Sequence, residues 1–358
     1  MDHQLRRAAL AGRLPDLQVD AFWITGHTNV RYLTGFTGSN GQLLVTGGAA
    51  VFFTDGRYTE RSRHEVPDID RVTYSGGLGD ALAAQLEASS VRRLGFEATH
   101  TTVRAHEQLA AKLSGVQLVG VGEEVERLRW VKDEEELHNL RRAQAVTDQA
   151  FEDILEVLAV GTTELAVARQ LELLLRRDGA DGLSFESIVA FGENAAEPHH
   201  DPGHRPLEEG DVIKVDFGAL YGGYHADMTR TVAFGEPATE LKKVHDVVKQ
   251  AQQAGVDAIR AGISGADVDA AARSVIEDAG YGQYFAHGLG HGVGLDIHEG
   301  PRLGREFSGH ELPAGAVVTV EPGIYMPGIG GVRIEDMVEV TDDGGRVLGT
   351  ATRDLIEL

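Results

Sequence analysis

Four carboxylates and a run of histidines stand out among the residues able to do chemistry. Asp216 and Asp227 lie eleven positions apart in VDFGALYGGYHAD. Read as an antiparallel hairpin with these two opposite each other, the segment turns at Tyr221–Gly222, and Gly222–Gly223 supply the permissive backbone of a two-residue loop. The carboxylates then stand about 5 Å apart on one face of the sheet. Like charges at that range destabilise a strand pair unless a proton or a cation lies between them. A metal is the economical explanation.

Glu321 and Glu335 repeat the arrangement in EPGIYMPGIGGVRIE, with the turn centred on Gly328 and a loop of three or five residues. VVTV before the first and MVEV after the second mark otherwise apolar strands, where an acid is costly unless paired or bound to metal. HGLGHGVGLDIHE adds His287, His291 and His298. Their offsets resemble a helical zinc signature, but Gly288, Gly290, Gly292 and Gly294 oppose a helix, and no HExxH is present. His199 and His200, after GENAAEP, are weaker candidates that exposed loop residues explain as well. Four carboxylates with one histidine form an oxygen-rich set, suited to manganese or cobalt more than to a thiolate-type zinc site. They balance two divalent ions and leave room for a bridging hydroxide, as in dinuclear hydrolases. Spare histidines can then move protons to a departing amine.

The elements that must position these groups fall into two unlike halves. From 18 to 55, VDAFWIT, RYLTGFTGSNG, QLLVT and AAVFFTD read as short β-type runs separated by turn residues. Helices are expected over Gly79–Leu86 and Thr102–Leu113, interleaved with RVTYS, RRLGFE and VQLVG as strands, which suggests a small α/β domain. Asp133, with Glu136 three residues on, has the form of a helix cap. Beyond it, helices are expected over Asp133–Ala159, Thr163–Arg177, Glu240–Arg260 and Asp267–Ala279, with strands SFESIVAFG, DVIKVDFGAL and YHADMTRTVAFG between the pairs and further β structure after them. Two helices followed by a hairpin thus occur twice.

Composition bounds the function. The 358 residues include 45 glycines, suiting a turn-rich β structure better than a helical bundle. A net charge of −23 repels phosphate, so nucleic acid and anionic membrane are excluded as partners. There is no cysteine, hence no disulfide, thiolate metal site or cysteine nucleophile. MDHQLRRAALAGRLPDLQVD lacks the apolar core of a signal peptide, and a cytoplasmic protein is expected.

The ordered set Asp216, Asp227, His291, Glu321 and Glu335, in VDFG, HAD, GHGVGLDIHE, VEPGIY and RIED, resembles the pita-bread metallopeptidases, and within them the Xaa-Pro aminopeptidases and prolidases. The resemblance implies an α+β fold. Residues 1–125, through TNVRYLTGFTGSNG and TDGRYTE, resemble the creatinase-like amino-terminal α/β domain, and residues 126–358 the pita-bread catalytic domain. It further implies that Asp216 chelates one of two divalent ions, that Asp227 and Glu335 bridge both, and that His291 and Glu321 complete the second. Manganese is the expected metal, with cobalt or zinc as alternatives. By the same resemblance His199 lies near the substrate, His287 contacts its backbone, and His298 binds the scissile carbonyl or shuttles a proton. Arg302 stands near the substrate carboxylate, Arg333 helps hold the metal site, and Tyr325 lies behind it. Phe191 and the Glu197–His200 segment depart from the usual pattern and bear on the shape of the proline pocket.

The activity so implied is hydrolysis of the bond between an N-terminal residue and a following proline, by a homodimer or larger homo-oligomer. An aminopeptidase acting on longer peptides is the leading reading. A dipeptidase restricted to Xaa-Pro shares every ligand and is the alternative. A catalytically dead peptide-binding module is disfavoured because all five ligand positions are retained. The long amino-terminal domain argues against a methionine aminopeptidase.

Overall fold

The computed structural model describes residues 1–358, and the chain divides between Arg129 and Trp130 into two units. The first is built on a mixed six-stranded sheet: β1 (Ala21–Ile24), β2 (Gln42–Thr46), β3 (Ala50–Asp55), β4 (Asp70–Tyr74), β5 (Arg93–Glu97) and β6 (Gln117–Val121), in the order β4-β3-β2-β1-β5-β6. All four residues of β1 are buried, as a central strand covered on both faces requires. Trp23 meets Phe53 edge-on at 5.2 Å, and Leu82 and Leu86 pack in the same core. The helices are α1 (His3–Arg13), α2 (His27–Thr34), α3 (Thr59–Glu65), α4 (Leu78–Ala88), α5 (Val103–Lys112) and α6 (Glu124–Arg129).

Two expectations change here. RYLTGFTGSNG is not a strand: Arg31–Thr34 close α2, which ends at Gly35 in the left-handed conformation, and the rest is loop. Val30, Tyr32 and Leu33 are buried on that short helix, so packing overrides their preference for strands. The boundary drawn at 125/126 falls inside α6, which packs on α1 and α2 with Val125 fully buried.

The second unit repeats a motif of two helices and a hairpin. α7 (Glu134–Leu155) starts with a capping box in which Asp133 accepts from the Glu136 N–H and the Glu136 side chain accepts from the Asp133 N–H. α8 (Glu164–Leu174) is capped by Thr163. Then come β7 (Gly182–Leu183), β8 (Ile188–Phe191), β9 (Val212–Phe217), β10 (Ala219–Tyr221), β11 (Tyr224–His225) and β12 (Met228–Ala233). Phe151, Ile154 and Leu171 of the helices share a core with Val189, Ile213 and Val215. The second round is α9 (Thr239–Ala258), α10 (Gly265–Asp278), β13 (Gly290–Gly292), β14 (Glu299–Leu303), β15 (Val317–Val320), β16 (Gly323–Met326), β17 (Gly330–Arg333), β18 (Asp336–Val340) and β19 (Gly345–Val347). Val244, Val248, Val268 and Ile276 pack there against Val318, Val320 and Val338. No helix is long and apolar enough to cross a membrane.

Register decides where the acids go. In the second hairpin Gly323 pairs with Arg333 and Met326 with Gly330, leaving Pro327, Gly328 and Ile329 as a three-residue loop. Val320 pairs with Asp336 in the same register, so Glu321 and Glu335 fall opposite each other, as their spacing predicts. The first hairpin is shifted. Tyr221 pairs with Tyr224, and Gly222 and Gly223 form the turn with φ of 58° and 80°. Both central positions of such a turn need positive φ, which Tyr221 would adopt only under strain. Asp216 therefore pairs with Thr229, not Asp227. Asp227 lies in the break between β11 and β12, where Gly218 and Ala226 approach so closely that a Cβ on Gly218 would sit 1.8 Å from the Ala226 carbonyl oxygen.

Candidate metal centre

β9 is buried at every position, yet two of its residues, Lys214 and Asp216, are charged and share one face of the strand. Asp216 comes from β9, Asp227 from the strand break between β11 and β12, His291 from β13, Glu321 from just after β15 and Glu335 from just before β18. All five line one cavity of about 460 Å³, together with His199, His287, His298, Arg302 and Arg333. The four acids and one histidine expected as ligands are thus brought together with the residues expected around the substrate, while His200 and Tyr325 do not line the cavity.

Donor atoms of Asp227, His291 and Glu335 all lie within 4.8 Å of one another. His291 Nε2 stands 3.6 Å from Asp227 Oδ2 and 3.4 Å from Glu321 Oε1. Its Nδ1 is 2.9 Å from the Gly292 carbonyl oxygen, a bond that only the Nδ1–H tautomer makes. The Nε2 lone pair is thereby left facing the carboxylates, the orientation a metal ligand needs. One oxygen of Asp216 accepts from Arg333, while Oδ1 is buried with no partner at all. Burial, with Glu335 and Asp216 close by, pushes the Asp227 carboxyl well above the usual range. Burial and the Glu321 and Asp216 carboxylates do the same to Glu335, and burial raises Glu321. A buried set of acids with an orphaned oxygen and an aimed imidazole fits divalent cations, which the five residues could hold through oxygen and one nitrogen.

Around them lies a layer of fixed donors. Thr229, fully buried, donates to Glu335 Oε2 at 2.6 Å and accepts from Arg333 Nε at 2.8 Å. Thr319 Oγ1 donates to Glu321 Oε1 at 3.1 Å and accepts from the His291 backbone N–H at 3.0 Å. Arg333 Nη1 donates to Tyr325 Oη at 2.9 Å. Burial pushes the Tyr325 phenol up to about 12, so it keeps its proton and donates to His287 Nε2 at 2.9 Å. His287 Nδ1 is 2.8 Å from the Gly288 carbonyl oxygen, so both its ring nitrogens are engaged within the protein.

His298 and His199 are exposed and carry no hydrogen bond within the chain, and the His298 ring lies 4.4 Å from that of His291. Partial desolvation by the cavity wall, with His291 and Arg302 nearby, nonetheless holds His298 below its ordinary value. His200 turns away from the cavity and bridges Glu197 Oε2 at 2.6 Å and Glu164 Oε2 at 3.0 Å. Although desolvation opposes it, these two acids raise the His200 pKa.

Thr229, Thr319, Lys214 and Glu164 escape sequence reasoning. A polar residue inside the apolar runs VVTV and VIKV is the available signal for two of them. A second acid and histidine group, Glu97, His100 and Glu126, lies in the first unit. There Glu97 Oε2 is taken up by the backbone N–H groups of Thr25 and Gly26, and Oε1 by Asn29, which leaves it a hydrogen-bonded network.

Residues 138–342 match Metallopeptidase family M24, and residues 6–131 match the Creatinase/Prolidase N-terminal domain. An uncharacterized peptidase of Bacillus subtilis, YqhT, is 43% identical over 342 residues, covering 96% of this chain and 97% of the relative. The structure of an Xaa-Pro dipeptidase from Bacillus anthracis is similar with a TM-score of 0.97 at 38% identity, over 100% of both chains. An X-Pro aminopeptidase from Thermotoga maritima has a TM-score of 0.91 at 34% identity, over 99% of this chain and 100% of that one. Sequence, fold and gathered acids agree: the chain belongs to metallopeptidase family M24, with a creatinase/prolidase-type amino-terminal domain ahead of the α+β pita-bread catalytic domain.

Proposed function

We propose that the protein is a metal-dependent Xaa-Pro dipeptidase, with the longer-peptide aminopeptidase activity in second place. The observation that carries this choice is Arg302. It lines the cavity, is exposed, and has no acidic partner within the chain. An unpaired guanidinium at that place suits the free carboxylate of a dipeptide, which an internal proline lacks. Similarity to the Bacillus anthracis dipeptidase along the whole chain supports the same reading. Similarity to the Thermotoga maritima enzyme keeps the second reading alive.

Asp216, Asp227, His291, Glu321 and Glu335 are the residues assigned to hold two divalent ions. When bound, such ions polarise the scissile carbonyl and lower the pKa of water at the site. The chain's own groups do the rest. Phe185, Ile188, Ile297, Leu303 and Phe307 line the cavity with apolar surface that can take the proline ring and exclude water from it. Proline offers no amide hydrogen, so orientation must come from the carboxylate on Arg302 and from the carbonyl. His298, neutral at physiological pH and free of other partners, accepts a proton at one ring nitrogen and passes it to the departing proline nitrogen. His199 lines the same cavity and is assigned to the substrate, and Arg333 holds Asp216 in place.

The same reading includes manganese as the working metal, from the hard donor set. It also includes a homodimer, on family resemblance, and a cytoplasmic setting. Comparing Ala-Pro with Ala-Pro-Ala tests the substrate class. Cleavage of the dipeptide alone is expected, and tripeptide cleavage at comparable kcat/KM would return the aminopeptidase reading.

A further inference from the structure

Lys214 is fully buried in the middle of β9, paired with Thr231 on one side and Ala190 on the other. No carboxylate lies within ion-pair distance of its ammonium group. Nζ instead donates to the Glu197 carbonyl oxygen and, at 3.3 Å, to that of Pro198, and lies 5.2 Å from the centre of the Tyr325 ring. Burying an amine with no carboxylate within ion-pair distance is costly, and an apolar side chain of similar length would fill the same space at lower cost. Something other than stability keeps a lysine there. The two carbonyls it holds belong to the residues immediately before His199.

The segment is held from its other side as well. The Glu164 side chain, fully buried at the start of α8, accepts from the Phe191 N–H at 2.9 Å, Asn194 Nδ2 at 2.9 Å and the Gly203 N–H at 3.0 Å, and it meets His200. Hydrogen bonding wins over burial, and the Glu164 carboxyl is held below its usual range. Residues 191–203 are thus tied at both ends, with His199 at the one stretch that faces the cavity. Arg333 Nη1 donates at 3.2 Å to the Pro198 oxygen that Lys214 also holds, which links this segment to the acid cluster.

We infer that Lys214 is a positioning residue: by gripping the Glu197 and Pro198 carbonyls it sets the place of His199 over the cavity. The kinetic arm of the test rests on the peptidase reading above, and the second arm does not. Lys214→Met keeps the length of the side chain and removes its donors. Its expected effect is a loss of kcat for Ala-Pro of about ten- to a hundredfold, the scale of a misplaced group, with metal content and melting temperature held. In a His199→Ala background the same change should cost less than about twofold, since coupled residues are non-additive. Amide exchange at Glu197 and Gly203, whose N–H groups bond to the Asn194 carbonyl oxygen and to Glu164, should speed up in Lys214→Met. Additive losses in the double variant, or unchanged exchange at those amides, would overturn the inference. Should Lys214→Met fail to fold, Lys214→Leu, which also lacks donors, carries the same cycle with the same criteria. A wild-type enzyme inert toward Ala-Pro would sink the dipeptidase reading alone, and the exchange measurement would then decide the role of Lys214.

Discussion

The hydroxyl of Thr229 donates to Glu335 at 2.6 Å while its oxygen accepts from Arg333 at 2.8 Å, so one small side chain spans the acid cluster and the guanidinium behind it. Thr229→Val keeps the shape and removes both bonds. The Arg333 Nε–H is then left unsatisfied in a buried place, which costs about 1–3 kcal/mol. Metal affinity should fall about ten- to a hundredfold, as for other residues that orient a ligand. Denaturant unfolding and metal titration of the variant measure the two effects. Unchanged affinity would mean that Glu335 is oriented without it.

The metal-free protein should lose stability as pH rises. Asp227 and Glu335 have carboxyl pKa values well above their ordinary ones, through burial and mutual repulsion. Between the ordinary and the raised values the folded state holds more protons than the unfolded one, so unfolding becomes easier with each step up in pH. Stabilisation is complete below the ordinary carboxylate range and is lost as pH passes through the raised values. Melting curves of chelator-treated protein should show this decline, and added manganese should flatten it by binding the deprotonated acids. In Asp227→Asn the decline should shrink, and turnover should be abolished with loss of metal. A metal-free protein most stable at high pH would contradict the burial of these acids.

His298→Ala should keep both ions and lose about 10²–10⁴ of its rate, the usual worth of a proton-transferring group. The ring makes no hydrogen bond in the chain, and the ligand it packs against, His291, is held by its own bond to the Gly292 carbonyl oxygen, so removal of the His298 ring leaves the ligand set in place. Metal analysis beside steady-state kinetics separates the outcomes. Release of metal would make His298 a ligand instead.

Arg302→Ala should raise KM for Ala-Pro about tenfold with kcat little changed, the loss of one charge-assisted contact to the substrate carboxylate. The proline amide Ala-Pro-NH₂ lacks that carboxylate, so its poorer kinetics should be indifferent to the substitution. Equal losses on both substrates would take the carboxylate contact away from Arg302.

The sequence alone determined which atoms meet. Acids in apolar strands and glycines at turn centres are local facts, and the Glu321–Glu335 pairing follows because an antiparallel ladder fixes every partner once its turn is placed. The cap at Asp133 was legible for the same reason, as it is decided within one turn of helix. Where two turns compete within two residues, as around Tyr221, Gly222 and Gly223, local rules placed the turn one position early and so every ladder partner two positions off. The true register makes Thr229 the partner of Asp216 and puts Asp227 in a strand break. Only the tertiary structure decided the outer layer: Thr229, Thr319, Lys214 and Glu164 gain their meaning from groups as far as 106 positions away. No spacing rule reaches that far, because those contacts exist only after separate hairpins and helices pack around one buried, charged centre.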